Sequence, residues 1–193
     1  LKESDAVLLQ LAGVAEQQGD PEAAIELYGQ IPPSSPMRRA SEMQLGLNLA
    51  DLKRYEEAEK HLKALLEQDR ADMRAYLALG GVYAAQENYG AAAELYEQAV
   101  KQIDAGVVSP TAVPQKGGNW NIYYQRGIAH ERLKQWPKAE PNFRKALELY
   151  PDQPQVLNYL GYSWVDMNMN LAEGLEMIRK AVELRPSDGY IVD

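Results

Sequence analysis

Small residues recur down this chain at a spacing that fixes its architecture. Ala24, Ala58, Ala92, Ala139 and Gly174 follow one another at steps of 34, 34, 47 and 35 residues, and a period in that range marks a stacked repeat array. About twelve positions before each stands a second small residue, in the pairs Leu11-Ala12, Leu45-Gly46, Leu79-Gly80, Arg126-Gly127 and Leu160-Gly161. Two small positions per period predict two helices per repeat, an A helix carrying the pair and a B helix carrying the Ala. Their axes then approach to roughly 8–10 Å. Four residues after each B-helix small residue comes a large apolar one: Tyr28, Leu62, Tyr96, Phe143 and Ile178. A further step of three reaches Ile31, Leu65, Ala99, Ala146 and Ala181. Each B helix thus keeps one apolar stripe at helical period. A bulky residue at the A–B crossing is expected to overpack it.

The pattern resembles the tetratricopeptide repeat family: an aromatic, Leu-Gly, Tyr, then Ala, an aromatic and a closing Pro. The third copy carries it most fully, in Tyr76, Leu79, Gly80, Tyr83, Ala92, Tyr96 and Ala99, with Asp104 at the place of the Pro. Pro36, Pro151 and Pro186 close the first, fourth and fifth copies, where proline cannot continue a helix. The resemblance implies an all-α fold, a right-handed superhelical α-solenoid of helix-turn-helix repeats. One array is expected over 1–188, with repeats near 5–38, 39–72, 73–106, 120–153 and 154–188, an insertion at 107–119, and a truncated sixth repeat beginning at 189–193.

Turn chemistry agrees with this division. Gly19-Asp20-Pro21-Glu22 supplies a C-terminal Gly, an Asp cap and a Pro at the first helical position. Lys53-Arg54-Tyr55, Glu87-Asn88-Tyr89, Lys134-Gln135-Trp136 and the longer Asn168-Met169-Asn170-Leu171 are the equivalent joints. Some residues depart from the pattern. Glu42 and Arg126 stand at apolar positions, Pro141 is expected to bend its B helix, and Gly174 leaves room for the bulky Trp164 at a propensity cost of roughly 1 kcal/mol.

Composition limits the partners. With 28 acidic and 20 basic residues the formal charge is −8, so nucleic acid is not an expected ligand. The absence of cysteine excludes disulfides and thiolate metal sites. No apolar run reaches the roughly 18 residues of a membrane helix. The chain begins at Leu1 and stops at Asp193 in what reads as another A helix, and is therefore expected to be a piece of a longer protein whose compartment, cytoplasmic or exported, is set elsewhere. Segments 157–164 and 184–190 resemble stretches of long bacterial repeat proteins of the same family, which are frequently exported or attached to the envelope. An uncapped end near Tyr190–Val192 would favour self-association.

The insertion, with two prolines and Gly117-Gly118, is expected to be an extended surface loop. Two readings stand. It is a tolerated connection, or Val107, Val108 and Val113 tuck into a groove or meet a partner.

The resemblance also implies that A helices line the concave side. The residues it places there include Met43, Leu47, Arg74, Leu77, Gly81, Tyr124, Ile128, Arg132, Asn158 and Tyr162. Because Met43, Leu47, Leu77 and Gly81 stand where a carboxylate clamp would need polar groups, the groove is expected to read apolar side chains of a peptide or protein segment. The competing reading is that Met43, Leu47 and Ile128 pack between adjacent A helices. No catalytic constellation, metal site or cofactor is expected: His61 and His130 have no partner at helical metal spacing, and Gly117-Gly118 lacks the strand and the Lys-Ser/Thr of a phosphate loop. The expected function is a non-enzymatic interaction scaffold, within a multiprotein or envelope-associated assembly. The alternative is a targeting region of a larger enzyme, such as a glycosyltransferase or a peptidase.

Overall fold

The computed structural model describes residues 4–185. Among these the secondary structure consists of ten α-helices: α1 Asp5–Gln17, α2 Pro21–Gly29, α3 Arg38–Asp51, α4 Tyr55–Gln68, α5 Met73–Ala85, α6 Tyr89–Asp104, α7 Trp120–Arg132, α8 Trp136–Leu149, α9 Pro154–Asp166 and α10 Leu171–Leu184. They pair as five hairpins, with the odd-numbered helices in the A role and the even-numbered in the B role. Where the sequence suggests one array, the chain divides into two compact units, Leu1–Ala112 and Val113–Asp193, with the break inside the insertion. Pro186, the 189–193 segment and the Tyr190–Val192 end lie outside the described residues.

The small residues sit where the two helices of each hairpin touch. An added Cβ at Gly46 would lie 2.9 Å from the Leu62 side chain, and one at Gly127 would lie 2.8 Å from the Phe143 ring. At Gly80 it would fall within the Tyr96 hydroxyl. In the last hairpin the obstacle is backbone: a Cβ on Gly161 would be 2.7 Å from the Gly174 carbonyl oxygen, and one on Gly174 would be 3.0 Å from that of Gly161. Gly174 therefore serves the close approach of α9 and α10 more than it serves Trp164, whose Cβ lies 3.4 Å from the same point.

Every A-to-B turn is built the same way. Gly19, Lys53, Glu87, Lys134 and Asn168 all have φ between 55° and 73°. In each case the following residue's N–H reaches back to the carbonyl five positions earlier: Asp20 to Ala15, Arg54 to Leu49, Asn88 to Tyr83, Gln135 to His130 and Met169 to Trp164. Together with the shorter bonds from the left-handed residue itself (Gly19 to Glu16, Lys53 to Ala50), this is the Schellman arrangement. The last turn adds Asn170, also left-handed at φ 44°, which accounts for the longer step.

A side chain at a left-handed position costs roughly 1–2 kcal/mol against glycine, part of which is returned through the unfolded chain. Lys53→Gly and Lys134→Gly are each expected to raise stability by about 0.5–1 kcal/mol. The check is a higher urea midpoint at unchanged slope, with Gly19→Ala shifting it the other way.

Caps start the helices as the turn sequence implies. The Asp20 side chain accepts from the Ala23 N–H at 3.0 Å, and Pro21 opens α2. Asp72, which is buried, accepts from the N–H groups of Arg74 and Ala75 and pairs with Arg39, which also donates to the Leu65 carbonyl. This cap therefore also ties α3 to the end of α4. Pro141 is exposed, and α8 runs through it as one helix. Its missing donor would have served the Pro137 carbonyl in the first turns, so one bond is lost near an end.

In the second unit an aromatic cluster fills the core. Phe143 is wholly buried, with ring centroids 5.2 Å from Tyr159, 6.1 Å from Trp136 and 6.2 Å from Tyr124. Trp164 is also wholly buried, and the Arg144 guanidinium stands 5.0 Å from its ring centroid.

Candidate functional site

In the first unit α1, α3 and α5 present one face. Leu47, Arg74 and Gly81 are exposed there and Leu77 is half-buried. Beside Leu47 a hollow of about 420 Å³ opens between α1 and α3, lined by Glu16, Gly19, Pro21, Gln44, Leu47, Asn48 and Asp51. The buried Asn48 side chain donates to Glu16 at 2.5 Å and to the Gln44 carbonyl at 2.8 Å. Glu16 also faces Tyr28, whose hydroxyl is pushed up to about 12 by burial and by that carboxylate. Glu16 is thus a charge held in place at the wall of the hollow, with Leu47 as apolar surface beside it.

Met43 does not join this face. It is buried, and a methionine taken into helix packing gains on the order of 1.5–3 kcal/mol over one left in water. In the second unit Ile128, Asn158 and Tyr162 are half-buried and Arg132 is exposed. Tyr124 is buried, with its ring 5.8 Å from Trp120 and 6.0 Å edge-on from Tyr159. Its hydroxyl is pushed up to about 12 by burial. Aromatic neighbours on α7, α8 and α9 draw it inward, so it belongs to the core of the unit and not to its surface. Tyr159 donates to Glu131 at 2.8 Å, and burial and that carboxylate raise its pKa as well.

The two histidines are engaged in packing contacts. His61 Nδ1 lies 2.6 Å from Glu42, which also pairs with Arg38, so Glu42 at its apolar pattern position has polar partners on two sides. His130 is buried with Nδ1 2.9 Å from the Gln135 side chain. Among the described residues no three His, Cys, Asp or Glu side chains converge as a metal ion would require. No described helix is long and apolar enough to cross a membrane.

The insertion is irregular, and its valines are exposed: Val107, Val108 and Val113 keep 48%, 75% and 65% of their surface. Of the two forms of the sharper reading, tucking into a groove is thereby overturned. The loop is tied down by polar groups instead. Ser109 is buried and donates to Asp69 at 2.5 Å, and Thr111 bonds Ser109. In the second unit Lys116 stands 4.8 Å from the Tyr150 ring centroid. Gly117, at φ +77°, has no room for a Cβ between Tyr150 and Trp120.

A second concavity in the first unit was not legible in the sequence. A cleft of about 650 Å³ lies between α4 and α6 over α5, with Tyr76, Leu79 and Tyr83 along its floor. Its walls carry Lys63, Glu67 and Arg70 from α4 and its end, and Glu94 and Lys101 from α6. Taken singly these charges read as solvated outer faces, and only the pairing of two repeats makes them the sides of one space.

Comparison with known proteins supports the architecture. Residues 43–107 and 120–153 each match a family model of the tetratricopeptide repeat. The TPR repeat-containing protein PA4667 of Pseudomonas aeruginosa is 26% identical over 98% of this chain and 30% of its own length. The human protein O-mannosyl-transferase TMTC1 is 24% identical over 80% of the chain and 17% of its own length. The chain thus spans less than a third of the length of these curated relatives. Among solved structures, MamA from Desulfovibrio magneticus RS-1 superimposes with a TM-score of 0.71 at 20% identity, covering 97% of this chain and 98% of that one. TTC0263, a thermophilic TPR protein of Thermus thermophilus, gives 0.70 at 21% identity, covering 97% and 95%. With small residues at every A–B crossing, five turns closed by the same Schellman bond and these matches, the chain belongs to the tetratricopeptide repeat family and is an all-α solenoid of its hairpins.

Proposed function

We propose that the chain is a non-catalytic scaffold that holds a peptide or protein segment along its A-helix face, as one part of a multiprotein or envelope-associated assembly. The observation that carries this is the face of the first unit, where Leu47, Leu77 and Gly81 leave apolar and open surface beside a hollow walled by Glu16. Apolar side chains of a guest would cover Leu47 and Leu77, and the glycine lets its backbone come close. In the second unit Ile128, Arg132, Asn158 and Tyr162 are proposed to contribute in the same way.

Leu47 and Gly81 are exposed, and nothing lies within 4 Å of a Cβ added at Gly81. The double variant Leu47→Glu with Gly81→Glu is therefore expected to fold with unchanged far-ultraviolet circular dichroism. It should lose the proteins that the wild-type chain captures from its native lysate. An unchanged set of captured proteins sinks the proposal.

The likeness to an O-mannosyl-transferase over 80% of the chain and 17% of the relative favours a second reading, in which the repeats recruit substrate for an enzyme encoded in the same polypeptide. The full reading frame decides between the two, since a catalytic domain would add well over a hundred residues outside the repeat pattern.

A further inference from the structure

One apolar stripe of the first unit is left open to solvent. Val7, Leu11 and Val14 stand at i, i+4 and i+7 on α1, and each keeps 41% or 42% of its surface. The stripe is turned about 100° around the helix from the buried Leu8, Ala12 and Ala15, and lies away from Gly13 and Glu16 of the A-helix face. Repeat register identifies its counterparts. Aligned on Ala12, Gly46, Gly80 and Gly161, the same three positions are Ser41, Leu45 and Asn48 on α3, Ala75, Leu79 and Val82 on α5, and Val156, Leu160 and Ser163 on α9. All but the half-buried Ser163 retain 6% of their surface or less. Each of these three helices has a B helix ahead of it in the chain that packs against it: α2 on α3, α4 on α5 and α8 on α9. The Tyr83 hydroxyl of α5, for example, donates to Glu59 of α4 at 3.1 Å. Helix starts agree. Ser4 caps α1 by accepting from the Val7 N–H, as Asp72 caps α5 and Gln153 caps α9, and the latter two each close a short B-to-A connection, 69–72 and 150–153.

We propose that this stripe is a repeat seam, covered in the whole polypeptide by a B-type helix encoded immediately upstream of Leu1. That helix is amphipathic, and its apolar face covers Val7, Leu11 and Val14 as α4 covers α5. With a connection of the 69–72 kind, it occupies the roughly 20 residues ahead of Leu1. Two observations choose this occupant over a second copy of the chain. Most of the length of the Pseudomonas aeruginosa relative lies outside the stretch that matches, which leaves room for further hairpins beside it. Three side chains at this exposure also offer only on the order of 200 Å², against about 800 Å² per partner in a stable interface. A helix joined by a short connection needs no such area, because it is presented at high effective concentration.

The reading frame gives the first check: a stretch of roughly 20–25 codons ahead of Leu1 without apolar residues at helical period overturns the proposal. The second compares the present chain with one extended at its N-terminus by about 35 of its own residues, each with and without Leu11→Glu. In the present chain Leu11 is exposed, so the added charge is expected to change the unfolding constant less than about threefold. In the extended chain the same charge is buried against the added helix, and the constant should rise at least about thirtyfold. Amide exchange in α1 should slow at least about tenfold on extension. Equal effects of Leu11→Glu in the two chains, or unchanged exchange in α1, would each refute the seam. Sedimentation equilibrium examines the other occupant, and a monomer is expected for the present chain. A dimer that Leu11→Glu dissociates would assign the stripe to a second copy and overturn the proposal.

Discussion

Phe143→Ala is expected to cost the second unit about 3–5 kcal/mol. The side chain is wholly buried, its ring contacts Tyr124, Trp136 and Tyr159 at once, and it also fills the space that Gly127 leaves open on α7. Truncation removes the transfer free energy of the ring and leaves a cavity whose walls are themselves large aromatics. Rings cannot close such a gap without leaving their rotamers, so little of the loss is recovered. Phe143→Leu keeps most of the volume and should cost no more than about 1.5–2 kcal/mol. Urea titration of both variants measures the difference, and a loss below about 1 kcal/mol for the alanine variant would show that the cluster does not hold α7, α8 and α9 together.

The second large effect belongs to Gly161→Ala, a change that adds one methyl group. Its Cβ would lie 2.7 Å from the Gly174 carbonyl oxygen and 2.9 Å from the Ile178 side chain. A side chain can rotate away from such a contact, whereas a carbonyl inside a helix cannot, so α9 and α10 must separate along their length. The expected cost is about 2–3 kcal/mol. Gly46→Ala meets the mobile end of Leu62 instead and should cost less. Gly13→Ala, with nothing within 4 Å, should stabilise by roughly 0.5–1 kcal/mol because the backbone loses less freedom on folding. Thermal melts of the three variants test the order, and a Gly161→Ala protein as stable as wild type would refute the backbone contact.

These glycines show why so much of the fold could be read from the sequence. Close helix contact demands a small residue at one place per helix, and only a few residue types satisfy it, so the requirement is visible as spacing. The turns are the opposite case. Their left-handed residue is held by backbone bonds that any side chain permits at moderate cost, and Lys53, Glu87 and Lys134 give no hint of a conformation that Gly19 declares openly. The candidate site divides in the same way. Leu47 and Gly81 are exposed, because repeat register fixes the direction of a side chain. Tyr124 and Met43 are not, since what surrounds them depends on which residues fill the neighbouring helices. The α4–α6 cleft was out of reach for a further reason: its walls come from two repeats, and charges that look independent along the chain share one space only after folding.

The break within the insertion has a spectroscopic consequence. All three tryptophans, Trp120, Trp136 and Trp164, fall in the unit Val113–Asp193. Indole emission therefore follows that unit alone, with Trp164 shielded from water at its centre, while peptide-bond ellipticity sums both. The native chain carries an unengineered optical label on one of its halves, and the two signals together can tell whether the halves melt as one or in turn.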